Sequence, residues 1–291
     1  MRVSALGVLL LTFPSLLAAQ IHIKTFPDYR LHITNDKYDA VWQIRIPEVV
    51  AAQSGVFLTS VRPSLEWKQI GDTLSYSWTS TPEYSEKVRA SVGNRRQLDT
   101  GIQVNTTVRI LPNAVAFEIE LHNPTDRPMI DVWIDGGCLT HLTERFFDNS
   151  HSRTYFFTKD GLTKLSDLDR TLQIRSKYFA NPAWFEEGST KDYEFFWGRS
   201  SAIPVEALIV SEPVSGLGAV GIAWENCPGL RQSSDDAHRC MHSSSFFGNL
   251  APGGTITRHG MLLFGDTKEA VVAAYRKLSY RMYLGAPKIA P

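Results

Sequence analysis

The chain has 291 residues, of which 43% are hydrophobic, and its 30 Lys and Arg residues balance its 30 Asp and Glu residues. The apolar share is large enough for a substantial core and excludes an intrinsically disordered chain. The balanced charge argues against a protein whose main task is to bind nucleic acid or an anionic membrane. We therefore expect a folded protein that does not bind nucleic acid.

Residues 1–19 have the pattern of a secretory signal peptide. Arg2 supplies a positive charge, residues 8–13 are mostly apolar, and small residues precede the expected cleavage site. The alternative is an uncleaved membrane anchor, but Pro14 and several polar residues interrupt the apolar stretch, which falls short of the roughly 20 residues that a spanning helix needs. The pattern predicts export to a secreted or periplasmic location, with residues 20–291 as the mature protein. We expect no membrane span after the leader is removed.

Strand signals dominate the rest of the chain, because apolar and polar residues alternate with a period of two. Candidate strands occupy residues 40–46, 74–78, 102–110, 114–121, 130–134, 193–197, 207–211, 218–224 and 256–264. Leu111-Pro-Asn113 lies between two of them and predicts a hairpin turn.

The clearest helix signal lies near the C-terminus. Asp266 and Glu269 have the spacing of a capping box, and residues 270–278 follow with apolar positions near one face. Many strands, few helices and no linker predict an all-β fold with one large antiparallel β domain over residues 20–291 and a short C-terminal helix. Two small packed sandwiches are the alternative.

The three cysteines are Cys138, Cys227 and Cys240. In an oxidising compartment Cys227 and Cys240 are the natural pair, since they are close in sequence. Cys138 would then be free and buried, because it follows an apolar segment. Three unpaired thiols are the alternative, since sequence alone does not determine disulfide geometry.

Two segments resemble the galactose mutarotase-like superfamily. Phe117-Glu-Ile-Glu-Leu-His-Asn-Pro-Thr-Asp-Arg-Pro128 is similar to a strand that runs into a tight turn before the next strand. Gly248-Asn-Leu-Ala-Pro-Gly-Gly-Thr255, followed by residues 261–264, is similar to a late Leu-x-Pro-Gly turn that leads into a strand. The resemblance implies the β-supersandwich of aldose 1-epimerases and a carbohydrate ligand. It implies fold more than epimerase activity, because His141 lacks the aromatic context of the epimerases.

The densest group of reactive side chains lies in residues 224–243. It contains Glu225, His238 and His242, and the expected disulfide would hold it as a stapled loop. Here His242 is a candidate general acid or base, with His141 as another candidate and Glu225 or Glu187 as the acidic partner. The alternative is a solvated surface loop.

The same loop offers a metal-binding alternative, in which His238 and His242 act with Asp235 or Cys240. Its spacing matches no zinc signature, so we predict no metal. The chain also has no dinucleotide fingerprint and no phosphate-binding loop, so we predict no cofactor.

Aromatic and charged residues suggest where a sugar would bind. Trp184 and Trp197 are candidates to stack on sugar rings, and Arg199 can bind hydroxyls or a uronate carboxylate. Arg153, beside His151, is a further candidate at the rim of a sheet face. For Trp197 the alternative is a position in the core, where large aromatic residues are usually packed.

These patterns predict a secreted carbohydrate-active or carbohydrate-binding protein, with a glycan bound on a concave sheet face. Acid–base chemistry by His and Glu residues would serve an epimerase, a lyase or a hydrolase equally. The alternative is a non-catalytic secreted β-sandwich that binds a partner or has a structural role. Convergence of His141, His242 and a glutamate in one cleft would favour the enzyme.

Overall fold

The fold was obtained as a computed structural model that describes residues 21–52, 55–58, 65–84, 101–170, 175–179, 198–235 and 238–278. The predicted all-β architecture is confirmed. Strands in three sheets make up most of the structure, and a short helix follows the last strand. The leader and the predicted strand over residues 193–197 lie outside the described residues.

One sheet has eight strands. In spatial order they are β1 (Ile21–Thr25), β2 (Arg30–Asn35), β3 (Ala40–Arg45), β11 (Cys138–His141), β19 (His238–Ser243), β18 (Gly229–Asp235), β14 (Arg175–Phe179) and β15 (Gly198–Arg199). Neighbours are antiparallel except for β14 and β15, which are parallel.

A second sheet has nine strands, all antiparallel to their neighbours. In spatial order they are β13 (Gly161–Lys164), β12 (Thr154–Thr158), β16 (Leu208–Ser211), β17 (Ala219–Trp224), β21 (Thr255–Gly265), β9 (Ala114–His122), β8 (Gln103–Leu111), β7 (Thr73–Thr79) and β6 (Lys68–Ile70).

The third sheet has four antiparallel strands. They are β20 (Ser245–Leu250), β10 (Met129–Asp135), β4 (Val49–Ala52) and β5 (Gly55–Leu58) in spatial order. Apolar side chains from all three sheets form one contiguous core, among them Trp42, Trp133 and Trp224.

The predicted strands within the described residues agree with the structure to within one or two residues at their ends. The hairpin at Leu111-Pro-Asn113 is also confirmed, because β8 and β9 pair across it. The predicted loop over residues 224–243 is wrong. Most of it forms the hairpin of β18 and β19, which pair antiparallel inside the eight-stranded sheet.

The two segments that resemble the mutarotase-like superfamily contact each other. Asn123 is fully buried, and its side-chain amide donates to the carbonyl oxygens of Leu250 and Ala251, both at 3.2 Å. Its side-chain oxygen accepts the backbone N–H of Thr125, which closes the turn. One side chain therefore connects the turn before β10 to the turn before β21.

The C-terminal helix α1 spans Lys268–Arg276, and its cap differs from the prediction. The N-terminal capping residue is Thr267, whose hydroxyl accepts the N–H of Ala270. Asp266 does not cap the helix. Its carboxylate accepts a hydrogen bond from the Tyr38 hydroxyl and forms an ion pair with Lys37 at 2.6 Å. The first acidic residue of the predicted capping box therefore binds another element of the fold.

Trp224 fills a slot that two glycines leave open. It is fully buried and stacks on Phe117 at 6.1 Å between ring centroids. A Cβ atom at Gly136 or Gly260 would approach its indole ring to 2.6 Å or 2.3 Å, which is closer than atoms pack. Both positions therefore require glycine.

We predict that Gly260→Ala lowers the free energy of unfolding by about 1–3 kcal/mol, because the added methyl group overpacks the slot beside Trp224. Urea denaturation followed by tryptophan fluorescence measures the change. Thr257→Ala on the same strand is the control and should lie within about 0.5 kcal/mol of the wild type. Equal stability of Gly260→Ala and the wild type would contradict this account of the slot.

Candidate functional site

One face of the eight-stranded sheet is polar, and two rows of directly opposed residues cross it. Opposed residues on neighbouring strands point to the same side, so each row lies on one face. The first row contains Lys24, His32, Gln43, Thr140, Cys240, Ser233 and Arg175. The second row contains Arg30, Arg45, Cys138, His242 and Arg231. We call the side formed by these two rows the polar face.

The opposite face of the same sheet belongs to the core. Ile44, Leu139 and Met241 form a row on that side, and all three are fully buried. His141 lies on this apolar side, directly opposite Trp42 in the register, and stacks on Phe146. The alternation of β11 therefore separates His141 from the polar face, where Cys138 and Thr140 lie.

The centre of the polar face is a buried ion network around His242. Its Nδ1 lies 3.0 Å from Oδ2 of Asp135, and Arg231 donates to the same oxygen at 3.1 Å. Asp135 is the last residue of β10, so this network joins the four-stranded sheet to the eight-stranded sheet. Glu48 approaches the same Nδ1 to 3.6 Å and accepts from Arg45 at 3.4 Å.

Two thiols lie on the other side of the imidazole. Nε2 of His242 is 3.0 Å from Sγ of Cys240, and Cys138 lies opposite His242 in the register. The donor atoms of Cys138, Cys240 and His242 all lie within 4.8 Å of one another. The carboxylates of Glu48 and Asp135 form a second such set with His242.

The charges of this network favour particular protonation states. Burial alone would lower the pKa of His242, but the Asp135 carboxylate and Cys138 raise it well above its ordinary value. The pKa of Cys138 is lowered by the hydrogen bond from Cys240 and by the nearby imidazole. The same hydrogen bond and burial raise the pKa of Cys240. The two shifts have opposite directions, because a negative charge at Cys138 and a positive charge at His242 stabilise each other.

The expected disulfide between Cys227 and Cys240 is absent, and all three cysteines are free thiols. Cys227 accepts a hydrogen bond from the hydroxyl of Ser243 at 3.4 Å. Ser243 and Cys240 are separated by an odd number of positions on β19, so their side chains point to opposite faces. The strand itself therefore keeps the two sulfur atoms on different sides.

The other predicted site residues are dispersed. Glu225 follows β17 and accepts from the backbone and the ring of His259 in the nine-stranded sheet. Arg153 pairs with Asp148 at 3.9 Å, outside the polar face. The structure therefore does not bring Glu225 or Arg153 to His242.

His238 lies at the exposed end of the polar face, 3.3 Å from Asp235 and 3.3 Å from Arg175. Neither His238 nor Asp235 belongs to the groups of described residues that could hold a metal ion.

Glu187, Trp184 and Trp197 lie outside the described residues. Arg199 lies in β15, and its side chain is likewise outside the description.

Sequence reasoning missed the partners of His242. Asp135 ends β10 and Glu48 directly precedes β4, so both are far from His242 in the chain. Arg231 lies in a segment that was predicted to be a loop. The available signal was Asp135-Gly-Gly-Cys138, where an acid and a thiol flank two glycines at the junction of two strands.

No family model and no curated protein matches the chain. Several solved structures are similar to the chain. One is a galactose mutarotase related enzyme from Lactobacillus acidophilus, which has 8% sequence identity and a TM-score of 0.46. The match covers 87% of this chain and 99% of that one. A galactose mutarotase-like protein from Clostridium acetobutylicum gives 8% identity, a TM-score of 0.49, and coverage of 86% and 94%.

An α-N-acetylgalactosaminidase from Bifidobacterium bifidum gives 12% identity, a TM-score of 0.45, and coverage of 87% of this chain and 36% of that one. In the described part of the chain, no helix has the length and apolarity to cross a membrane.

His141 gives the fold a measurable dependence on pH. Burial lowers its pKa from 6.5 to about 4, and neither ring nitrogen has a hydrogen-bond partner among the described residues. Between these two values the unfolded chain binds a proton that the folded chain does not. Stability is therefore complete above the unfolded value and falls as the pH drops towards the folded value.

We predict that the wild type loses stability relative to His141→Leu as the pH drops through this window. The difference between their free energies of unfolding should change by roughly 3 kcal/mol in total. The variant has no imidazole to protonate, so this component of the pH dependence disappears. Urea denaturation of both proteins from about pH 7 to pH 4 measures the difference. A difference that stays constant with pH would contradict the buried neutral state of His141.

Proposed function

We propose that the protein binds a neutral saccharide on the polar face of the eight-stranded sheet. The observation that carries the proposal is the row of hydrogen-bonding side chains at His32, Gln43 and Thr140, which lies beside an aromatic ring. His32 and Thr140 are partly exposed, and Gln43 between them is 9% exposed. A few convergent polar groups next to an aromatic surface are typical of small-molecule sites.

The aromatic ring belongs to Phe26. Its centroid is 4.5 Å from that of His32, with an angle of 53° between the ring planes. Nε2 of His32 in turn lies 3.4 Å from Oε1 of Gln43. The negative face of an aromatic ring attracts the C–H groups of a sugar, while the amide of Gln43 can donate to one hydroxyl and accept from another.

The charges on this face favour a neutral ligand. Arg30 pairs with Asp28 at 2.6 Å, and Arg45 pairs with Glu48 at 3.4 Å. Arg175 likewise pairs with Asp235. Since each guanidinium already has a carboxylate partner, the face offers donors and acceptors without a large excess of positive charge.

Binding is the function that the geometry supports best. The predicted acid–base reaction of His141 and His242 with Glu187 or Glu225 stays a prediction. Because His141 and His242 lie on opposite faces of one sheet, a reaction that uses both histidines on one substrate is not favoured. His242 with Asp135 is the pair through which a reaction on the polar face would have to proceed.

We also propose that the protein is exported and that its leader is removed. The support is the leader pattern of residues 1–19. When the full chain is expressed in a secreting host, the exported protein should begin at or near Gln20 by N-terminal sequencing. Recovery of the whole chain, still beginning at Met1 and inside the cell, would contradict the proposal.

We predict that Gln43→Ala weakens saccharide binding about tenfold, which corresponds to about 1.4 kcal/mol, because a hydrogen-bonding amide is lost from the centre of the row. An array of neutral and uronate-containing oligosaccharides identifies a ligand, and calorimetric titration with the strongest neutral ligand measures the affinity.

The matched control is Gln103→Ala on β8 of the nine-stranded sheet, which should leave the affinity unchanged. Absence of binding to every member of the array would overturn the proposed function. Equal loss in both variants would move the site away from the polar face, and binding of uronates alone would overturn the neutral ligand.

A further inference from the structure

We propose that Cys138, Cys240 and His242 form a binding site for a Zn²⁺ ion. Thiolate and imidazole ligands are those that Zn²⁺ takes in proteins, whereas Mg²⁺ and Ca²⁺ prefer oxygen. The inference is independent of whether a saccharide binds to the polar face.

The three donor atoms already converge. They lie within 4.8 Å of one another, and the sulfur of Cys240 is 3.0 Å from Nε2 of His242. In tetrahedral coordination with Zn–S near 2.3 Å and Zn–N near 2.0–2.1 Å, neighbouring donor atoms stand about 3.5–3.8 Å apart. Adjustments of about an ångström or less therefore place all three around one ion.

The strand register explains why these side chains converge. Cys240 and His242 are two positions apart on β19 and share a face, and Cys138 lies directly opposite His242 on β11. Both strands are internal to the eight-stranded sheet, so the ligands are supported by strands on either side. A rigid sheet thus presents the complete set without a loop.

The register also argues against a disulfide between the two sulfur atoms. Cys138 pairs with His242 and Cys240 pairs with Thr140, so the two cysteines are diagonal neighbours. Diagonal residues of an antiparallel pair have Cα atoms about 7–8 Å apart. A disulfide requires less than about 7 Å, so this arrangement favours two thiols that share a third partner.

The surroundings of His242 supply a second, independent argument. Nδ1 is 3.0 Å from Oδ2 of Asp135, which Arg231 holds at 3.1 Å. In metal sites, a ligating histidine almost always donates its other ring nitrogen to a carboxylate or carbonyl oxygen, which fixes the ring and its tautomer. Asp135 therefore aims Nε2 at the two sulfur atoms.

The site is also closed to bulk solvent. Cys138, Cys240 and His242 are each 2% exposed. Two thiolates balance the charge of one Zn²⁺ ion, so the ion adds no net charge to the buried cluster. Three protein ligands leave one tetrahedral position for water, which is the pattern of catalytic rather than structural zinc sites.

The test measures metal binding by the purified full chain, reduced and freed of metal with a chelator. We expect one Zn²⁺ per chain by elemental analysis, and with Co²⁺ a strong thiolate-to-metal charge-transfer absorption. Cys138→Ser and Cys240→Ser should each weaken Zn²⁺ binding by at least roughly 100-fold, since each removes a direct ligand. Cys227→Ser is the matched control, because Cys227 contacts the opposite side of β19, and it should bind like the wild type.

Asp135→Asn separates orientation from ligation. It should keep one site per chain but weaken it by about 10–100-fold, because the carboxylate that orients His242 is lost. Equal affinity of Asp135→Asn and the wild type would overturn the orienting role.

Three results would overturn the site itself. The first is the absence of Zn²⁺ and Co²⁺ binding at micromolar concentrations. The second is a charge-transfer band that persists in the Cys138→Ser/Cys240→Ser double variant. The third is a Cys138–Cys240 disulfide in the mass spectrum of the non-reduced protein. If a serine variant fails to fold, X-ray absorption at the zinc edge of the wild-type protein decides. Two sulfur neighbours and one imidazole nitrogen are expected, and a shell of nitrogen and oxygen alone would refute the site.

Discussion

The buried carboxylate of Asp135 is the interaction on which the architecture of the site depends. It ends a strand of the four-stranded sheet, accepts from Arg231 of the eight-stranded sheet and contacts His242. A buried charge that loses its partner costs several kcal/mol, so these contacts hold the two sheets in one relative position. The same contacts orient the imidazole. The packing of the sheets and the geometry around His242 are therefore not independent properties.

Along the central strands of the eight-stranded sheet, residues that pack in the core alternate with residues that lie on the polar face. On β11, Leu139 and His141 face the core, while Cys138 and Thr140 face the other way. A register shift of one residue would exchange the two sets. The large side chains of the core face, such as Trp42, resist such a shift, so the core determines which residues are available on the polar face.

The fold was largely predictable from the sequence, because strands such as β7 and β9 alternate apolar and polar residues over much of their length. β18 was not, since Arg231 and Ser233 alternate with Gln232, which is polar as well, and no apolar face marks the strand. The site was predictable only in part. His242 is recognisable as a reactive residue type, but Asp135 acquires its role only when distant strands pair. The cysteine pairing failed because proximity in sequence says nothing about which side of a strand each sulfur occupies.

The order of strands in the nine-stranded sheet has a consequence for how the chain folds. β9 lies inside the sheet, yet one of its two partners, β21, begins 133 positions after β9 ends. Asn123 likewise bonds to a carbonyl 127 positions further along. Such contacts make the relative contact order high, which is typical of domains that fold in milliseconds to seconds. During synthesis β9 must keep one edge open until β21 has left the ribosome, and in that interval its unpaired edge is exposed to other chains.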